Sequence, residues 1–265
     1  GVLDSTYAAN SGELDTWVLD VLQLDVEATY AHLRSECPDY VAFEHWVREH
    51  GSLVPYRIAR WNSGVQNRVF VQPSKLEQRH RDIPLPESDP FVSAVLLNNL
   101  QDWSLFHRIS LSDIAEGMPP LVSSIDTGRM GVCQLPRTWL KVTLQTKGLL
   151  HPDFPACGGG LDQNIIDALG LNRDETLDYL TSSLPTYIEF EQWVTEQIGT
   201  ADREAIDDFH SFMYNRRHPE PKRSGILDLI GLADDGTLHN GVLMNHLEDW
   251  KYAHTWLTAT FRKST

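Results

Sequence analysis

The chain has 265 residues, enough for one large domain or two of ordinary size. Hydrophobic residues make up 41% and charged residues 22%, so a packed core is expected, and no apolar run reaches the roughly 18 to 20 residues of a membrane-spanning helix. With 22 Lys and Arg against 37 Asp and Glu, the formal charge of -15 repels phosphate backbones and anionic lipid, which sets nucleic-acid and membrane partners aside.

Taken in chain order, the apolar residues follow helical spacing and almost never alternate as in strands. Leu14, Val18, Val21 and Leu22 recur at intervals of three and four, which predicts an amphipathic helix. Ser35-Glu36-Cys37-Pro38 then punctuates the chain, with the proline expected to begin a helix carrying Phe43, Trp46 and Val47. Residues 72–90, with Pro73, Pro84, Pro86 and Pro90, read as an irregular linker. The segment Val95–His107 precedes a second linker, Ile114–Arg129. Leu135-Pro136 marks a further helix start, with Trp139, Leu140 and Leu144 on its apolar side.

From Gly148 onward the chain repeats itself at an offset of 147. Residues 1–50 and 148–197 share 19 identities without a gap, against about three expected from average residue usage. The same offset lays VLLNNLQDWSLFH (Val95–His107) on VLMNHLEDWKYAH (Val242–His254), with seven identities in thirteen positions. Between these blocks the register slips by about six residues, around Trp61-Asn62 against Tyr214-Asn215. The expected fold is all-α, two related helical bundles about a pseudo-twofold axis, divided as 1–117 and 118–265. The first copy is expected to lack a counterpart of the segment from about Pro119 to Arg137, so a site needing that segment is expected to be complete only in the second.

The run LPRTWLK (Leu135–Lys141), the glycine-bearing turn, Leu161-Asp162-Gln163, Leu169-Gly170-Leu171, Trp193-Val194 and Tyr214-Asn215 fall in an order that resembles the bacterial domain of unknown function DUF5069. The resemblance covers most of the second copy and implies a helical domain. It implies no activity, and the tandem arrangement departs from the single-domain form of that family.

Several residues carry candidate chemistry. Arg137 and Lys141, four apart on one helix face, suit a carboxylate or phosphate; the alternative is pairing with the chain's own carboxylates. The turn His151–Gln163 presents Cys157 and three glycines ahead of a helix that Asp162 would cap. The paired NxxxDWxxxH segments place Asp249 and His254 as an oriented acid-base pair, although five residues on a straight helix turn the two about 140° apart. The more conservative reading makes these groups cross-helix hydrogen-bond partners and makes Trp103 and Trp250 core. The expected catalytic residues are His254, Asp249, His151 and Asp162, and the expected substrate-binding residues are Arg137, Lys141, Cys157 and Asn215. No metal or other cofactor is expected.

The function expected from this set is a small-molecule enzyme of lyase, isomerase or cyclase type acting on an organic anion. Two alternatives are a non-catalytic binding protein on a duplicated scaffold and a metal-dependent enzyme using His239, His246 and His254. Three cysteines without a CxxC pair, and no Asn-x-Ser/Thr sequon, fit a reducing compartment, and a cytoplasmic location is expected.

Overall fold

The computed structural model describes residues 12–85 and 92–262, apart from the side chains of Arg79 and of residues 260–262. Pro86 and Pro90 of the first linker, and Asn10, the counterpart of Cys157, lie outside the described residues. These are all-α: thirteen α-helices and one π turn, with no strand among them. None of the helices is long and apolar enough to cross a membrane.

A first compact unit ends at Val69. It contains α1 (Leu14–Val21), α2 (Val26–Glu36), α3 (Tyr40–His50) and α4 (Pro55–Gln66). Its core is small: Leu19, Leu24 and Val47 are buried, with Val18, Leu22, Phe43 and Trp46 packed around them.

The second unit begins at Phe70. It contains α5 (Pro73–Asp82), α6 (Ala94–Leu105), a π turn (Phe106–Ser110), α7 (Leu135–Thr146), α8 (Leu161–Ala168) and α9 (Arg173–Ser183). It continues with α10 (Tyr187–Ile198), α11 (Arg203–Tyr214), α12 (Lys222–Ile230) and α13 (Gly241–Arg262). Its core runs continuously from Ile83 and Leu97 through Trp139 and Leu144 to Ile165, Phe190 and Met213, all fully or almost fully buried. The packing boundary at Val69 therefore differs from the repeat boundary at 117/118. The apolar face of α6, with Ala94, Leu97, Leu100 and Trp103, belongs to the second unit's core, where Trp103 meets Tyr187 edge-on at 4.9 Å.

Local structure follows the sequence repeat closely. Helices α1, α2, α3 and α6 each begin 147 residues before α8, α9, α10 and α13 (14 and 161, 26 and 173, 40 and 187, 94 and 241). The left-handed residues Cys37 (φ 47°) and Leu184 (φ 44°) end α2 and α9. His32 stacks on Trp46 at 4.7 Å as Tyr179 stacks on Trp193 at 4.8 Å.

Three expectations are corrected. Residues 73–82 form a helix rather than a linker, because a proline at the first position of a helix forfeits no internal hydrogen bond. Pro38 does not begin α3, which starts two residues later, capped by Asp39; α10 likewise starts two residues after Pro185, at the Thr186–Glu189 capping box. The six-residue slip is also removed, since α4 and α11 start at 55 and 203, one residue out of step with the rest. That sets Asn67 against Asn215, and each donates Nδ2 to a serine carbonyl one turn earlier, Ser63 and Ser211, at 2.8 Å.

Candidate functional site

Helix α7 brings the second unit's polar residues together. Its first turn is entered through Gln134, whose backbone is left-handed (φ 67°), a conformation that a side chain of this size rarely adopts. Gln134, Thr138 and Lys141 follow at intervals of four and three, so they share one face, and all three donate to the carboxylate of Asp162 on α8. Gln134 Nε2 and Thr138 Oγ1 reach Oδ1 at 2.8 Å each, and Lys141 Nζ makes a short contact with Oδ2. The backbone N–H of Gly158 adds a fourth bond to Oδ2 at 3.0 Å.

Asp162 is therefore not the helix cap that its position suggested. Gly160 occupies the cap position, and Asp162, 4% exposed, is a buried acceptor tying the glycine turn to α7. Arg137 makes the second buried pair, a bidentate fork onto Asp249 of α13 at 2.7 and 2.9 Å. Its Nη1 also donates to the carbonyls of Pro120 and Val122, and its guanidinium lies over the ring of Phe154 at 6.0 Å. The segment joining the copies is thus packed structure rather than a free linker. Burial raises the pKa of Asp249 and the guanidinium of Arg137 opposes the rise.

Gln134, Arg137, Lys141 and Asp162 floor a cavity of about 200 Å³. Its wall is completed by Phe154 and Asp153 from the glycine turn, Arg216 after α11, Lys222 at the start of α12, and Asn245, Glu248 and Tyr252 on one face of α13. Among the described residues the side chains of Arg216, Lys222 and Glu248 have no hydrogen bond or ion pair. Burial raises the pKa of Glu248; Lys222 opposes this and Asp249 adds to it. Tyr252 donates to Asp153 at 2.6 Å, which, with burial, pushes its hydroxyl up to about 12. Asn245 is held from behind by His218, whose Nε2 contacts its Oδ1 at 2.8 Å.

The sequence-derived residues divide sharply. Arg137, Lys141, Asp162 and Asp249 do meet, but as two internal ion pairs, because each cation reaches a carboxylate of the same unit. His151 lies behind the wall, its ring 4.6 Å from Tyr252 and 5.9 Å from Phe154. His254 is half-buried on α13 and is not part of the wall, two residues and so about 200° around the helix from Tyr252. Cys157 is also set apart: its sulfur and carbonyl accept from Arg173 at 3.2 and 2.8 Å, and burial raises the thiol's pKa, so it is not an activated thiolate. Asn215 is exposed and ends α11; the residue after it, Arg216, is the one on the wall.

In the first repeat the DW segment ends in the π turn, and His107 Nε2 contacts the Leu184 carbonyl at 3.0 Å. Trp103 is core, as expected, but Trp250 is 39% exposed. His246 makes a short contact with the Ser123 hydroxyl. Among the described residues no three His, Cys, Asp or Glu side chains lie close enough to hold a metal ion.

Sequence reasoning missed Gln134, Arg216, Lys222 and Glu248. Only the placement of Gln134 directly before Leu135-Pro136 hinted at a role. A larger groove of about 360 Å³ lies between α1 and α4, but it is mainly apolar, and two of its arginines are engaged: Arg68 with Glu13 and Arg57 with the Asp20 carbonyl. No protein-family model matches the chain, and no curated protein or solved structure matches it either.

Proposed function

We propose that this protein binds a small organic anion in the cavity of its second unit and acts on it by proton transfer, with Arg216 and Lys222 as anchors and Glu248 as the acid-base group. The observation that carries this reading is one wall holding two cations that make no hydrogen bond or ion pair among the described residues, beside a carboxyl whose pKa burial raises. A cation already forked onto a carboxylate has little left for a ligand, whereas Arg216 offers its full donor set. A raised pKa makes a carboxyl a stronger base when ionised and lets it hold its proton to higher pH than a free carboxylate does. Lyase, isomerase and cyclase reactions need little beyond such a group and shaped binding. The cavity is below the roughly 300–1,000 Å³ of drug-sized sites, which favours a ligand of few atoms. The DUF5069 resemblance adds no activity to this reading.

The test is thermal unfolding of the full chain against small carboxylates and phosphates. A ligand present at 100 times its dissociation constant stabilises by about 2.7 kcal/mol. The response is expected to vanish in Arg216→Ala and to persist in Glu248→Gln, which should lose any turnover found for the bound compound. Unchanged anion binding in an Arg216→Ala/Lys222→Ala double variant would refute the anchor assignment. Full turnover in Glu248→Gln would leave the site a binding site alone.

A further inference from the structure

The cavity wall also carries a neutral donor, and the fold fixes which way it faces. Asn245 stands on α13 with its Oδ1 2.8 Å from Nε2 of His218. The same Nε2 lies 3.1 Å from the carbonyl oxygen of Gly241, a group that can only accept. Nε2 is therefore the protonated nitrogen of the ring, and the amide atom it meets is the acceptor Oδ1. The other end of the amide is Nδ2, which has two N–H donors and no hydrogen bond among the described residues, on a half-buried side chain that lines the cavity. His218 is 5% exposed and its Nδ1 is buried without a partner, so a second ring proton would find no acceptor. Burial, and after it the charge of Lys222, holds the pKa of the ring below its ordinary value. The ring is thus a neutral donor through Nε2.

The segment that carries His218 also carries Arg216, two residues earlier. The carbonyl of Arg216 accepts from the Gly241 N–H at 2.8 Å, and the approach is so close that a Cβ added to Gly241 would lie 3.0 Å from that oxygen. Gly241 opens α13, and Asn245 follows it by one turn. Three hydrogen bonds thus tie the Arg216–His218 segment to the first turn of α13, and they set Arg216 and Asn245 in the wall of one cavity. Building on the anion-site reading above, we propose that Asn245 is a ligand-binding residue that donates through Nδ2 to an oxygen of the bound anion, and that His218 is the positioning residue that holds the amide in this orientation. Lys222 is a point charge that attracts an anion from any side. An amide N–H weakens steeply when misaligned, so it adds a requirement for an acceptor oxygen at a set place.

Isothermal titration of the full chain with inorganic phosphate, acetate, oxalate and malonate tests this. For the anion that the wild type binds, Asn245→Ala is expected to weaken affinity at least about tenfold, as the loss of a hydrogen bond to a charged group does. The fold is kept, because His218 retains the Gly241 carbonyl as its acceptor. His218→Phe is expected to weaken binding in the wild-type background and to cost nothing further in Asn245→Ala, whereas His218→Gln, which restores an N–H donor, binds nearly as the wild type does. An unchanged affinity in Asn245→Ala overturns the Asn245 assignment; if Arg216→Ala abolishes binding of the same anion, the anion site itself stands. An equal loss from His218→Phe in both backgrounds shows a merely structural histidine and overturns its positioning role. Silence of the wild type toward all four anions overturns both this assignment and the anion site.

Discussion

Arg137 and Asp249 show how burial changes what a charged residue can do. Each is about nine-tenths buried or more, and the guanidinium is used by two carboxylate oxygens and two backbone carbonyls. Removing one partner strands the other charge away from water, which costs about 3–5 kcal/mol, whereas replacing both by apolar groups of similar volume is often close to neutral. Arg137→Ala and Asp249→Ala are therefore each expected to lose about 3–5 kcal/mol of stability, and Arg137→Met/Asp249→Leu to recover most of it. Urea unfolding of the four proteins checks this. Single losses below about 1 kcal/mol would show a pair exchanging with solvent, and Arg137 would return as an anion anchor. The two cations were legible in the sequence from their spacing of four. Their partners were not, because Asp249 lies 112 residues from Arg137 and no local pattern encodes that meeting.

At the scale of elements, α10 holds the loop before α7 through one carboxyl. Glu191 is 4% exposed and its Oε1 accepts from the Met130 N–H at 2.9 Å and the Tyr187 hydroxyl at 3.1 Å. Gly128 lies so close to Glu191 and Tyr187 that an added Cβ would fall within 2.2 Å of Glu191 Oε1. Burial, the largest influence, raises the pKa of Glu191 above the usual 4.5, while the backbone donors of Met130 and Arg129 pull it down. The folded state therefore holds this proton more tightly than the unfolded chain. The stability from that proton is present at low pH and is lost as pH rises from about 4.5 through the folded value. Glu191→Gln, which cannot ionise, is expected to flatten this part of the melting temperature's pH dependence. A variant whose profile between pH 4 and 7 matches the wild type would show that Glu191 does not titrate there. Some element positions were readable: α1 and α7 begin at the first apolar residue of the predicted runs, since their signals are local. Helix α5 was not, because proline punctuation has the same appearance before a helix and within a loop.

For the molecule as a whole, the two compact units differ in how much apolar surface they bury. The first has three buried core residues, the second a core reaching from Phe70 to Val242. Every residue of the proposed site, from Gln134 to Tyr252, belongs to the second. Small cores give marginal stability, so the first unit is expected to unfold at lower urea than the second. A fragment of residues 70–265 should keep a cooperative transition and the anion response of the full chain. Circular dichroism during urea titration checks this, and a fragment that fails to fold would show that the second unit draws stability from the first.

The sequence by itself determined the all-α class, the starts of α1 and α7, and the 147-residue periodicity. These rest on hydrophobic spacing, caps and turn residues, which act within a few positions of themselves. Only the tertiary structure decided that α6 joins the second core, that Arg137 and Lys141 are neutralised from within, and that Gln134, Arg216, Lys222 and Glu248 share a cavity. The physical reason is that a side chain's availability to a ligand depends on whether the fold has already supplied its counter-charge or hydrogen-bond partner. In this protein those partners come from helices and turns far apart in the chain.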